Sequence, residues 1–173
     1  MPDVLTPPLG PDDHVDGPPD APLELVMYGD FQCPFCTAAQ PILKRVRERL
    51  AGRLRFGFRQ YPLRELHPDA ERAAQASEAA AAQGAFWPMH DALYGLRGKL
   101  GLEDIVAAAG RIGLDAERMR ADLEAGTFAA AVQADVESGH ASGVTGTPTF
   151  FTSGARHVGG YDAQSLIAAL EGS

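Results

Sequence analysis

The chain has 173 residues, 45% hydrophobic and 22% charged, with a formal net charge of −8. One domain of that size buries about 70% of its unfolded surface without a disulfide or metal staple. No apolar run approaches the roughly 20 residues of a membrane span, so neither membrane insertion nor a disordered chain fits, and the acidic balance argues against nucleic acid or an anionic membrane surface as the main partner.

Residues 1–20, rich in Pro and Asp, read as a mobile arm. They carry neither a basic n-region nor an apolar h-region, so a cytoplasmic location is expected. Next, Leu23-Glu24-Leu25-Val26-Met27-Tyr28 is largely apolar and predicts a buried strand. Asp30 reads as facing solvent at the end of that strand. Cys33-Pro34-Phe35-Cys36 follows, and then a helix in which Cys36, Ala39, Leu43, Val46 and Leu50 step by three and four. Pro34 takes the first helical position, where its missing N–H costs nothing. Cys33 therefore lies at the helix start, where free backbone N–H groups and the positive dipole end stabilise a thiolate; Cys36, one turn further in, is expected to be buried.

Two cysteines are too few for a disulfide framework, and a zinc site would need two more ligands. His14, His67, His90, His140 and His157 are scattered without H-x3-5-H spacing, so neither a metal nor a cofactor is expected. Strand, C-x-x-C and helix in that order match a redox arrangement instead.

Leu54-Arg55-Phe56-Gly57-Phe58-Arg59-Gln60-Tyr61 alternates with period two up to Pro62 and predicts a second strand, parallel to the first in a βαβ unit. The basic run Lys44, Arg45, Arg47, Arg49, Arg53, Arg55 and Arg59 reads as a solvated face complementing the helix C-terminus. Residues 65–143 hold no convincing strand. Pro68 opens an alanine-rich helix running to Gly84, Pro88 opens another, and Glu103 and Asp104 begin a third. Asp115 and Thr127 each cap a further helix. Trp87 and His90 are assigned to packing. Finally, Thr149-Phe150-Phe151-Thr152, the turn Ser153-Gly154 and Arg156-His157-Val158 read as a hairpin, followed by a helix from Asp162 to about Leu170.

In this order the chain resembles the DsbA-like branch of the thioredoxin superfamily, from about residue 14 to about 170. The likeness is carried by His14-Val15-Asp16-Gly17-Pro18-Pro19-Asp20-Ala21-Pro22, Tyr28-Gly29-Asp30-Phe31-Gln32-Cys33-Pro34-Phe35-Cys36, His67-Pro68, Gly84-Ala85-Phe86-Trp87-Pro88-Met89-His90-Asp91 and Gly143-Val144-Thr145-Gly146-Thr147-Pro148-Thr149-Phe150-Phe151. It is similar to the compact thioredoxin-like domains fused to some bacterial sodium/proton antiporters. The resemblance implies an α/β thioredoxin fold whose βαβ half (21–64) and ββα half (144–173) are separated by a helical insertion (65–143), all one structural domain.

The resemblance also implies a thiol-disulfide oxidoreductase with Cys33 attacking and Cys36 resolving. Pro34 and Phe35 between them are redox-tuning, and Thr147 and Pro148 form a substrate-binding cis-proline loop. Taken alone, Pro148 reads equally as a strand-start proline. Phe35 supplies no donor or charge, unlike the histidine that DsbA places between its cysteines, and Pro41 matches the family's helix-kink proline. The implied partners are a disulfide-containing protein or a low-molecular-weight thiol, with a separate electron donor or acceptor. A non-enzymatic binding or regulatory module of the same fold is the alternative reading. One position departs from the pattern: the family places a glutamate six residues before the first cysteine, as a proton relay to the resolving thiol, and here that residue is Met27.

Overall fold

The structure, a computed structural model, describes residues 4–173. Its strands are β1 (His14–Asp16), β2 (Leu23–Gly29), β3 (Leu54–Gln60), β4 (Thr149–Thr152) and β5 (Ala155–Arg156). The helices are α1 (Pro34–Arg49), α2 (Ala70–Ala82), α3 (Phe86–Gly95), α4 (Leu102–Arg111), α5 (Ala116–Ala125), α6 (Ala129–Ala141) and α7 (Ala163–Glu171). The five strands form one sheet in the order β1-β3-β2-β4-β5.

β2 and β3 run parallel in the register Leu23↔Leu54 to Gly29↔Gln60. On its other edge β2 pairs antiparallel with β4, Met27 facing Phe150. Side chains of successive strand residues point to opposite faces, and both faces here are covered. Leu25, Met27, Phe56 and Phe58 join α1, the buried side of α2 to α5, and Leu166 and Leu170 of α7 in the larger core. Val26, Tyr28 and Phe151 meet Val132 and Val136 of α6 and Leu5 on the opposite face. The fold is thus an α/β thioredoxin fold of βαβ and ββα halves with helices α2 to α6 inserted between them.

Several boundaries differ from the sequence reading. The alanine-rich helix begins at Ala70 rather than Pro68, after a turn in which Ala70 N–H donates to His67 O. α3 begins at Phe86, with Pro88 in its first turn, and α6 begins at Ala129 with Phe128, not Thr127, at its N-cap. Asp115 does cap α5, accepting from Arg118 N–H, before Gly126 ends the helix in the left-handed region at φ +64. The second strand of the hairpin is Ala155–Arg156.

The expected arm over residues 1–20 is not what residues 4–20 form; residues 1–3 lie outside the described residues. Residues 14–16 add β1 antiparallel to β3, with Val15 opposite Gly57. Leu5 is only 2% exposed, and Thr6 N–H donates to Ser142 Oγ. Arg59 explains much of this. Its guanidinium is buried, not on a solvated face, and donates to both carboxylate oxygens of Asp13 (2.8 and 3.0 Å), to Tyr28 Oη and to Pro8 O. Elsewhere in the basic run, Arg47 pairs with Asp16 and Arg55 with Glu24.

Candidate active site

α1 starts where the sequence places it. Cys33 is its N-cap residue, in extended conformation (φ −69, ψ 121), and Pro34 is its first helical residue. Cys36, Ala39, Leu43 and Val46 form the buried stripe, and Pro41 lies inside the helix. Both cysteines are free thiols and both are buried, Cys33 at 2% exposure. The loop of Thr147 and Pro148 closes over Cys33, whose sulfur lies 3.7 Å from Thr147 O. The Thr147–Pro148 peptide is cis. Phe35 is 65% exposed.

The two thiols have opposite proton affinities. The Cys33 thiol is lowered to about 5, first because the Cys36 thiol donates to its sulfur, and further by the Thr147 hydroxyl and the Cys36 and Phe35 backbone; burial opposes the shift. The Cys36 thiol is pushed far up, chiefly by burial and then by hydrogen bonding and charge at Cys33. Near neutral pH the Cys33 sulfur is thus held as a thiolate, and the Cys36 sulfur behind it keeps its proton.

Asp30 departs from its reading most clearly. It is 1% exposed. Its Oδ1 accepts from Gln32 N–H (2.7 Å) and Cys33 N–H (3.1 Å), and its Oδ2 from Leu63 N–H (2.9 Å) and His67 Nδ1 (2.7 Å). The carboxylate turns inward because those donors converge on it, and it fixes the turn that presents Cys33 at the helix start. Gln32 extends this scaffold: its Oε1 accepts from Asp69 N–H at the head of α2. The partners of Asp30 come from two stretches of chain, the turn at Gln32 and Cys33 and the segment from Leu63 to His67, and nothing local in the sequence joins the second stretch to Asp30.

Met27 is fully buried in the same core as both cysteines, as a thioether rather than an acid. Tyr94, which the sequence analysis passed over, lies one helical turn after His90 on α3 and packs its ring on Phe31 at 4.7 Å between centroids. Trp87 and His90 do pack: His90 is buried against Phe58 at 5.0 Å and Trp87 at 5.1 Å, and burial lowers its pKa. Among the described residues, no group of three or more His, Cys, Asp or Glu could hold a metal ion, and no helix is long and apolar enough to cross a membrane.

Comparison with known proteins agrees with this architecture. A family model described as thioredoxin matches residues 10–171, and the chain belongs to that family. Among solved structures, BdbD of Bacillus subtilis superposes with a TM-score of 0.84 at 22% identity, covering 91% of this chain and 90% of that one. A thioredoxin-like oxidoreductase from Silicibacter pomeroyi superposes at 0.83 with 28% identity, covering 94% and 92%. Wolbachia pipientis alpha-DsbA1 gives 0.80 at 20% identity over 95% and 93%. Among curated relatives, a sodium/proton antiporter NhaA 1 of Salinispora arenicola is 45% identical over 164 residues, 94% of this chain and 25% of that protein. The NhaA of Herminiimonas arsenicoxydans is 42% identical over 174 residues, 100% of this chain and 28% of that protein. The chain thus spans about a quarter of the length of the curated relatives it matches.

Proposed function

We propose that this protein is a thiol-disulfide oxidoreductase that exchanges disulfides with protein or small-thiol substrates through Cys33 and Cys36. The observation that carries the reading is the opposed proton affinity of the two thiols across one helical turn, Cys33 lowered to about 5 and Cys36 raised. The DsbA-like architecture supports it. The Cys33 thiolate attacks one sulfur of a substrate disulfide, breaking the S–S bond; one substrate thiolate leaves and takes a proton, and the other half stays bound to Cys33. Cys36 then loses its proton, attacks Cys33 Sγ and expels the second substrate thiolate. The substrate gains two electrons and the Cys33–Cys36 pair loses them, so continued turnover needs a separate electron donor; exchange in the other direction needs an acceptor. An extended substrate segment pairs with the backbone of Thr147 beside Pro148, in the manner of an added strand. Pro34 and Phe35 set the redox poise from between the cysteines.

Variants at the two cysteines test this. Cys33→Ser abolishes disulfide reduction, whereas Cys36→Ser accumulates a mixed disulfide on Cys33, detected by mass spectrometry. Faster alkylation of Cys36 than of Cys33 overturns the assignment of roles. One mixed disulfide per chain without multiple turnover by the intact protein makes it a binding module instead.

A further inference from the structure

A groove of about 1010 Å³ opens between α1 and the C-terminal half of α3, beginning at the residues on either side of Cys33. Sites for small molecules fill roughly 300–1,000 Å³, so this one has room for a length of chain. One wall is the face of α1 that carries Pro34, Thr37, Pro41 and Lys44, distinct from the buried stripe of Cys36, Ala39 and Val46. The other wall is Asp91 and Gly95 of α3 and the turn Arg97-Gly98 that follows it. That turn is tied to the cysteine end, where Gln32 Nε2 donates to Gly98 O at 3.4 Å. Arg97 stands in the left-handed region at φ +50, a strained conformation for a residue with a Cβ. From Pro34 to Lys44 the groove follows α1 for about 15 Å, at 1.5 Å per residue.

Charge in the groove runs against that of the molecule. The net charge is −8, yet among the described residues the lining holds the cations Lys44, Arg47 and Arg97 against one carboxylate, Asp91. Arg47 is already engaged, paired with Asp16 and lying 5.1 and 5.4 Å from the Phe56 and Trp87 rings. Asp91 is engaged too, 2.8 Å from His90 Nδ1. Lys44 and Arg97 are exposed and form no ion pair among the described residues. Arg97 stands beside Gly98 at the cysteine end and Lys44 at the far end, with the apolar side chains of Ala38, Pro41 and Leu43 between them.

We infer that this groove takes an acidic segment of a protein substrate, the stretch that flanks the cysteine attacked by Cys33, and that Arg97 and Lys44 select it. This rests on the exchange reading above and names the substrate class for the same site. The topology gives the path. Thr147 leads into β4 on one edge of β2, whereas α3 packs over β3 on the other, Trp87 lying 5.6 Å from Phe56 and His90 5.0 Å from Phe58. A segment that pairs with Thr147 on one side of Cys33 therefore leaves toward the groove on the other. An extended chain covers 3.3–3.6 Å per residue, so about 15 Å corresponds to four or five residues. A carboxylate that many positions from the substrate cysteine reaches Lys44, and one nearer the cysteine meets Arg97. Complementary charge of this kind chooses among partners and speeds their encounter more than it deepens affinity.

The test uses the intact reduced protein and peptides whose single cysteine is activated as its 2-pyridyl disulfide. Cys33 attacks the peptide sulfur, the bond to the pyridyl sulfur breaks, and the released 2-thiopyridone, protonated from solvent, is followed by stopped-flow absorbance. One peptide carries glutamate at the fourth and fifth positions on both sides of the cysteine, a second carries glutamine there, and a third carries glutamate only next to the cysteine. The first reacts about 5- to 10-fold faster than the second at low salt, and the ratio falls toward one as salt screens exposed charge. Lys44→Glu, on an exposed helix face, and Arg97→Glu each lower that ratio, whereas Arg111→Glu, at an exposed cation of α4 outside the lining, keeps it. Equal rates for the first two peptides overturn the inference. So does a ratio that Arg111→Glu lowers as far as Lys44→Glu does, which reports net charge alone, and so does a third peptide as fast as the first, which marks a small-anion site at the cysteine end. The two readings fail separately: multiple turnover with equal rates keeps the oxidoreductase function and loses this inference, and a preference for the acidic peptide without turnover in the presence of a reductant does the reverse.

Discussion

Cys33 and Cys36 carry the same functional group, and their difference is made by what surrounds each sulfur. Because Cys33 is lowered to about 5, alkylation at that sulfur is expected to be half-maximal near pH 5, far below the roughly 8.5 of a free thiol; a midpoint above 8 discards the assignment. The sign for stability follows. The folded pKa lies below the unfolded one, so the thiolate contributes stability that is complete above about pH 8.5 and is lost as pH falls through about 5. Urea unfolding of the reduced protein against Cys33→Ser at pH 4 and pH 8 reads it directly. Redox poise follows as well. A thiol near 5 falls between thioredoxin at roughly 7 and DsbA at roughly 3.5, so the potential is expected between about −270 and −120 mV. Equilibration with glutathione buffers measures it, and Phe35→His, which adds a donor between the two cysteines, moves it upward. The residue types at this site were legible because a helix N-cap, a C-x-x-C spacing and a following apolar stripe are local. The anchoring of Asp30 was not, since a carboxylate after a strand has the same local sequence whether it meets water or the amide of Leu63 and the ring of His67.

At the scale of elements, periodicity located α1 and β3, a continuous apolar run located β2, and a strand pair around the turn Ser153-Gly154 located β4, because each buries one or both faces against the sheet or its covering helices and carries that demand in its sequence. The ends of helices depend on more than local start signals. Pro68 and Thr127 are good start signals, yet the chain spends two further residues in turns before α2 and α6 begin. α6 also shows how close packing falls outside a hydrophobic pattern. Gly139 faces the sheet, and a Cβ there would lie 2.7 Å from the Tyr61 ring and 3.3 Å from the Tyr28 ring. Tyr61 is pinned, its hydroxyl donating to Val144 O. Gly139→Ala is therefore expected to destabilise the protein by about 1–3 kcal/mol through overpacking, despite the better helix propensity of alanine. Denaturant unfolding with no loss of stability would show that α6 can shift away from β3.

Over the whole molecule, the N-terminal segment and the helical insertion meet the sheet through buried charge. Arg59 is 2% exposed and paired with Asp13; removing its partner by Asp13→Ala leaves a buried cation and is expected to cost about 3–5 kcal/mol. A loss under 1 kcal/mol would return residues 4–20 to the status of a loose arm. On the same side, Asp135 of α6 accepts from Gln60 N–H at 2.8 Å, and burial pushes it up to about 7, with Glu78 and Asp13 adding to the shift and Arg59 opposing it. Its folded pKa lies above its unfolded value, so the native state holds an extra proton between about pH 4 and pH 7, and this group lowers stability as pH rises through that window. Asp135→Asn keeps an acceptor for Gln60 N–H, removes that slope and leaves the protein more stable at pH 7.5 than the parent. A parallel pH profile in the variant would exclude Asp135 as the source.

What the amino-acid order determined alone is what lies within one element or one turn: the alternation of the strands, the buried stripe of α1, and the Cys33 position at a helix start, since each depends on neighbours a few residues apart. The tertiary structure decided the rest. Arg59 is buried because Asp13, 46 positions earlier, lies beside it; Cys33 is covered because Thr147 approaches it from 114 positions away; and the Tyr94 hydroxyl fits into the core because Gly29, without a Cβ, leaves it room. Burial, charge pairing and the proton affinity of a sulfur depend on which distant segments share a volume, and that is set only when the sheet and its covering helices have closed together.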